Sequence, residues 1–229
     1  MTRGTALAAV ITSALTIGSC TTRTHAQPML SISDGFGSSS FNTWSIIVTP
    51  QSQSGTFLAT GGNPGTYASL VVTSSVNNRL GTGFQYRGVG SNFILGSLAT
   101  QITLGADLRR TSVISPGTPE PEFVPIIVQG TRLYQPASFI PAPATNQWVT
   151  VAPVTFNISE FTNSSGIPLN PAASVTVGFW WRFNPTPSLP APAAYGVGVD
   201  NLTITVIPAP GALATLLLGL PMLTRRRRA

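Results

Sequence analysis

The chain has 229 residues and a formal charge of +6, and all twelve of its basic residues are arginines; this is a length that β-sandwich folds use as one domain. Six of those arginines lie in the two terminal segments, and between residues 27 and 207 the other six are balanced by Asp34, Asp107, Glu120, Glu122, Glu160 and Asp200, so the body lacks the clustered cations that nucleic-acid binding needs. The single cysteine, Cys20, and the single histidine, His25, both fall in the N-terminal segment, which leaves the body without a disulfide, a thiolate or imidazole metal ligand, or an imidazole base for hydrolase chemistry.

Residues 1–26 read as a signal peptide. Arg3 forms a short basic start, an apolar stretch runs from Thr5 to about Gly18, and a polar region closes on Thr24-His25-Ala26. The apolar run is too short for an ordinary spanning helix and fits the hydrophobic region of a secretion signal. Cleavage by signal peptidase after Ala26 would start the mature chain at Gln27. Ile17-Gly18-Ser19-Cys20 resembles a lipobox and offers a second outcome, cleavage before a lipidated Cys20.

The body, residues 27–207, is rich in Thr, Ser, Val, Gly, Asn and Pro, and its short apolar runs are bounded by turn residues, an all-β signature. Strands are predicted over 44–49, 56–59, 67–73, 83–89, 99–104, 124–129, 148–156, 174–183 and 198–206. With no helical crossovers this makes a single two-sheet β-sandwich of the jelly-roll kind. Prolines gather in 115–125, 136–143 and 185–192, predicted loops because proline cannot donate to a ladder.

In Val175-Thr176-Val177-Gly178-Phe179-Trp180-Trp181-Arg182-Phe183, the odd positions share one face and are assigned to the core. Trp180 and Arg182 fall on the other face, as a candidate platform on which a sugar ring stacks and is hydrogen-bonded. Glu120 and Glu122 are the closest carboxylates in sequence, the minimum for a glycoside hydrolase, but the proline-rich segment around them predicts a solvated loop. Asp34 and Asp200 sit near the first and last strands, which commonly neighbour one another, and make a candidate structural Ca²⁺ pair.

Four phrases carry a resemblance to secreted carbohydrate-binding and laminin-IV-like sandwich domains: Asp34-Gly35-Phe36 before Trp44, Gly61-Gly62-Asn63-Pro64-Gly65 before Tyr67, Gln147-Trp148-Val149-Thr150-Val151, and Val199-Asp200-Asn201-Leu202-Thr203-Ile204. The resemblance implies the sandwich fold and a polysaccharide ligand. Each phrase also has a purely structural reading: the glycines and Asn63-Pro64 as a turn, Trp148 as core, Asp200-Asn201 as a strand entry.

Residues 208–229 contain Pro208-Ala209-Pro210-Gly211, an apolar segment over 212–224, and the cluster Arg225, Arg226, Arg227 and Arg228. This order resembles the PEP-CTERM sorting signal, with Ala209 in place of its glutamate. The resemblance implies an exported protein of a Gram-negative-type bacterium, processed by exosortase, a membrane-embedded cysteine protease. Thirteen residues of helix would span about 20 Å of a hydrocarbon core about 30 Å thick, a marginal and transient anchor in the inner membrane. The arginines should stay cytoplasmic and hold the body outside. The functional expectation is a non-catalytic cell-surface or matrix protein, with a carbohydrate-binding module as the alternative and a glycoside hydrolase as the third reading.

Overall fold

A computed structural model describes residues 30–37, 40–48, 55–74, 81–96, 100–113, 121–144, 146–182 and 193–208. The signal segment 1–26, including Cys20, and the sorting segment beyond Pro208, including Arg225 to Arg228, lie outside the described residues. Thirteen strands follow in order: β1 (Leu30–Asp34), β2 (Trp44–Val48), β3 (Gly55–Gly62), β4 (Gly65–Ser74), β5 (Gly81–Tyr86), β6 (Phe93–Ile94), β7 (Gln101–Val113), β8 (Glu122–Gln129), β9 (Arg132–Tyr134), β10 (Ile140–Pro141), β11 (Val149–Asn157), β12 (Ser174–Arg182) and β13 (Ala193–Ile207). One helical turn, Ser40–Thr43, leads into β2.

The chain is all-β, in two antiparallel sheets. The first has the order β11-β7-β13-β4-β3, with β1 also on β13; the second has the order β10-β8-β12-β5-β2, with β6 on β12 and β9 on β8. Each sheet has a long central strand whose one side is shared end to end by two shorter strands. On β13 the division falls at Asp200: β4 pairs up to Val199 and β1 pairs from Leu202 onward.

Alternation places the core between the sheets. In β7, Ile102, Leu104, Ala106 and Leu108 point inward; in β13 the buried phase is Val197 and Val199, then Leu202, Ile204 and Val206. The phase changes at a register shift between Asp200 and Thr203, where Asn201 has φ 45°. An extra residue of this kind is a β-bulge, and asparagine tolerates the left-handed conformation better than most. The odd residues of β12 are core as expected. The Phe179 ring lies 5.5 Å from Trp44 and Phe84, 5.7 Å from Phe123 and 6.1 Å from Phe36.

The other face of β12 departs from expectation, because it is buried too. Trp180 is 2% exposed and packs with Val124, Ile126 and Leu133 in a second apolar cluster. Arg182 is 6% exposed, and further along the same face Gln85 Nε2 donates to the Thr176 hydroxyl. The prediction of a solvated loop around Glu122 is also corrected. Glu120 lies outside the described residues, and Glu122, 5% exposed, is the first residue of β8 and ion-pairs with Arg182 at 2.6 Å. Pro125 lies within β8 because β10 pairs only as far as Phe123 and β9 only from Ile127, so the missing N–H falls opposite a gap in the ladder.

Candidate functional site

The predicted platform does not form an open surface. The Arg182 guanidinium donates from Nε to Glu122 at 2.6 Å, from Nη1 to the Gln135 side chain at 3.1 Å and the Pro136 carbonyl at 2.7 Å, and from Nη2 to the Ala137 carbonyl at 3.0 Å. It staples β12 to Glu122 of β8 and to the segment after β9. Trp180 beside it has no ring face open for stacking. The physical reason is that β9 and the segment following it cover this face, which period-two alternation along one strand cannot reveal.

An aromatic and cationic arrangement does occur on the outer face of the first sheet. Because Ala68, Leu108 and Val199 point into the core, their neighbours Tyr67, Asp107, Arg109, Gly198 and Asp200 point outward. Arg109 and Gly198 are direct register partners, as are Asp107 and Asp200. Over Gly198 lie two rings: a Cβ built there would come within 3.1 Å of both Tyr67 and Trp148. The glycine is what lets the rings settle on the sheet. The Arg109 guanidinium carbon lies 4.9 Å from the Tyr67 centroid and 4.7 Å from that of Trp148, and the rings meet edge to face at 5.4 Å and 82°. Each cation–π contact contributes about 0.5–1 kcal/mol or more as water is excluded.

Trp148 precedes β11 and is half-buried, as is Arg109, whereas Tyr67 is buried. Its indole N–H donates to the Gly61 carbonyl at 3.0 Å, which fixes the ring across the β3–β4 hairpin. Arg109 makes no salt bridge among the described residues, and its Nε is buried without a hydrogen-bond partner.

Next to this clamp is a network of amides and carboxylates. Asp107 Oδ2 accepts from Asn201 Nδ2 at 2.6 Å and from Asn63 Nδ2 at 3.2 Å. Asp200 Oδ1 accepts from the Asn201 backbone N–H at 2.8 Å, Oδ2 accepts from the Asn63 backbone N–H, and Asn201 Nδ2 also donates to the Asn63 carbonyl. Gly62 allows this approach, since a Cβ there would lie 2.7 Å from Asp200 Oδ2. Asp200 is completely buried, and desolvation pushes its carboxyl above the ordinary value; the two backbone N–H groups oppose that shift, while Asp107 and Asp34 add to it.

Asp34 and Asp200 do come together, because the first and last strands pair. Each of their carboxylate oxygens accepts a hydrogen bond from within the domain. Asp34 Oδ1 accepts from the Phe36 N–H at 2.6 Å and Oδ2 from Trp44 Nε1 at 2.7 Å, and both Asp200 oxygens are taken as described. Among the described residues no group of three or more His, Cys, Asp or Glu side chains is placed to hold a metal.

The residues of the clamp were within reach of the sequence. The phrases around Gly61–Gly65, Trp148 and Asp200-Asn201 meet here, and Trp148, read above as core, sits half-buried on an outer face. Arg109 carried no sequence signal, because the second half of β7 lay beyond the predicted strand over 99–104.

No family model and no curated protein matches the chain. Among solved structures the chain is similar to the family 11 carbohydrate-binding module from Clostridium thermocellum, solved in complex with a β-1,3-1,4-mixed-linked tetrasaccharide. The identity is 13% and the TM-score 0.46, over 78% of this chain and 96% of that one. What the outer face can do follows from its own side chains.

Proposed function

We propose that this chain is an exported, non-catalytic surface or matrix protein whose domain, a β-sandwich of the jelly-roll kind, binds extracellular polysaccharide on the outer face of its first sheet. The observation that carries the binding reading is the half-buried Trp148, locked by its bond to Gly61 and by Arg109 against Tyr67. An indole fixed before the ligand arrives presents an apolar face to a sugar ring and loses little rotamer freedom on binding. Asn63 and Asn201 of the neighbouring network are exposed, and their side-chain carbonyl oxygens, unlike the amide nitrogens that bond Asp107, suit ring hydroxyls. Export, removal of residues 1–26 by signal peptidase, and recognition of the C-terminal segment by an exosortase-like protease rest on the terminal motifs read above.

Affinity electrophoresis of the purified chain in a panel of neutral and charged polysaccharides tests the binding reading. Trp148→Ala should abolish retardation while leaving the circular dichroism unchanged. Retention of binding by that variant would overturn the assignment of the face. Intact mass of the protein recovered from cells tests the processing reading, which predicts the loss of both terminal segments; a mass that still includes Arg225 to Arg228 would refute it.

A further inference from the structure

We propose that the same face selects polysaccharides bearing an anionic group, a uronate carboxylate or a sulfate ester, and that Arg109 is the residue that reads it. This inference rests on the polysaccharide-binding reading and sharpens it. The described carboxylates are each engaged elsewhere: Glu122 with Arg182, Glu160 with Asn157 and Ser138, Asp34 with Phe36 and Trp44, and Asp107 and Asp200 with Asn63 and Asn201. Arg109 is left as a half-buried guanidinium held by two rings, with no counter-charge within ion-pair distance among the described residues.

A cation taken partly out of water gains most from an ionised acceptor, and the planar guanidinium matches carboxylate and sulfate oxygens in a forked pair of hydrogen bonds. Its guanidinium carbon is packed against Tyr67 and Trp148 and its Nε is buried, so the terminal amino groups are the part left to a ligand. Asp107, two residues away on the same face, would oppose an anion if its charge were free. Its Oδ2 instead accepts two amide N–H groups, which offset that repulsion. Asn63 and Asn201 thus hold the Asp107 carboxylate in hydrogen bonds of their own.

Matched polymers that differ only in charge provide the test. The purified chain is run in affinity gels containing polygalacturonate or its methyl ester, and carrageenan or the same carrageenan after desulfation, at low and moderate salt. The expected result is that at least one charged polymer is bound about tenfold or more tightly than its uncharged counterpart, and that added salt erodes the preference. Arg109→Gln should remove the preference. Arg109→Lys, which keeps a charge without the fork, should restore part of it. The uronate and sulfate arms identify which anion is read. Equal binding of charged and uncharged polymers, or a preference that survives Arg109→Gln, overturns the inference. If Trp148-dependent binding of a neutral polymer persists in that case, the polysaccharide reading stands without it. Failure of the unaltered chain to bind any polymer would sink both.

Discussion

Trp180 and Trp181 are adjacent, point to opposite faces of β12 and are both buried. Replacing either with alanine should therefore cost about 3–5 kcal/mol through lost burial and a residual cavity. Urea melts of the two variants check this; a Trp180→Ala cost below about 1 kcal/mol would mean that the outer cluster is not a packed core. Glu122→Gln, which leaves the Arg182 charge buried without its ion pair, should cost about 3–5 kcal/mol in the same assay. Asp200 supplies a pH signature. Its folded-state value lies above the ordinary 3.8, so the folded chain holds that proton more tightly than the unfolded one. Its contribution is complete below pH 3.8 and is lost as pH rises through the raised value. Glu160, lowered from 4.5 mainly by Asn157 and then by Ser138, acts in the opposite sense, but it is common to the wild type and an Asp200 variant and cancels in their comparison. The urea midpoint of the wild type relative to Asp200→Asn should fall as pH is raised from 3.8 towards 7. Parallel pH profiles for the two would contradict the burial of this carboxyl.

The bulge in β13 shows what one element contributes. Asn201 takes a left-handed φ and its side chain bonds both Asp107 and the Asn63 carbonyl. Asn201→Gly should lose the hydrogen bonds alone, about 1–2 kcal/mol, and Asn201→Ala should be about 1 kcal/mol less stable again because alanine strains the backbone there. Equal melting of the two variants would show that the backbone relaxes around the bulge. Strands with clean alternation or dense β-branched residues, such as β4, β11 and β12, were legible in the sequence. The second half of β7 was not, because Ala106-Asp107-Leu108-Arg109-Arg110 has three charged residues around two apolar ones, and only the sheet shows that the alternate residues Ala106 and Leu108 are buried. β9 and β10 were missed because strands of three and two residues carry no period. β9 bears on the fate of Trp180, since its Leu133 packs against the cluster that holds that ring. The pattern of one strand shows which residues share a face, and only the neighbours show whether that face is wet. The clamp was half legible for the same reason: Tyr67 and Trp148 lie in phrases visible as motifs, but Gly198 and Arg109 become partners only through the β7–β13 register.

At the scale of the whole molecule, the aspartate oxygens at the junction of β1, β4 and β13 are held by amide and indole donors, and the junction is expected to close without calcium. The thermal midpoint of the purified chain should be the same in chelator and in millimolar calcium; a rise of several degrees with calcium would show that a cation displaces those donors. The pairing of β1 with β13, Leu30 opposite Val206, has a mechanical consequence. Both ends of the domain leave it side by side, and traction applied between them would peel β1 from β13 one residue pair at a time. Traction between the end of β13 and a ligand on Trp148 runs differently. From Gly198 to Ile207 is about 30 Å along the strand, and β13 is paired with β7 on one side and with β4 and β1 on the other, so the load becomes shear shared by many hydrogen bonds at once. In single-molecule pulling, handles at positions 148 and 207 should need a higher unfolding force than handles at 30 and 207. A domain tethered by its C-terminal end alone while it grips a polymer would be loaded along its strong axis.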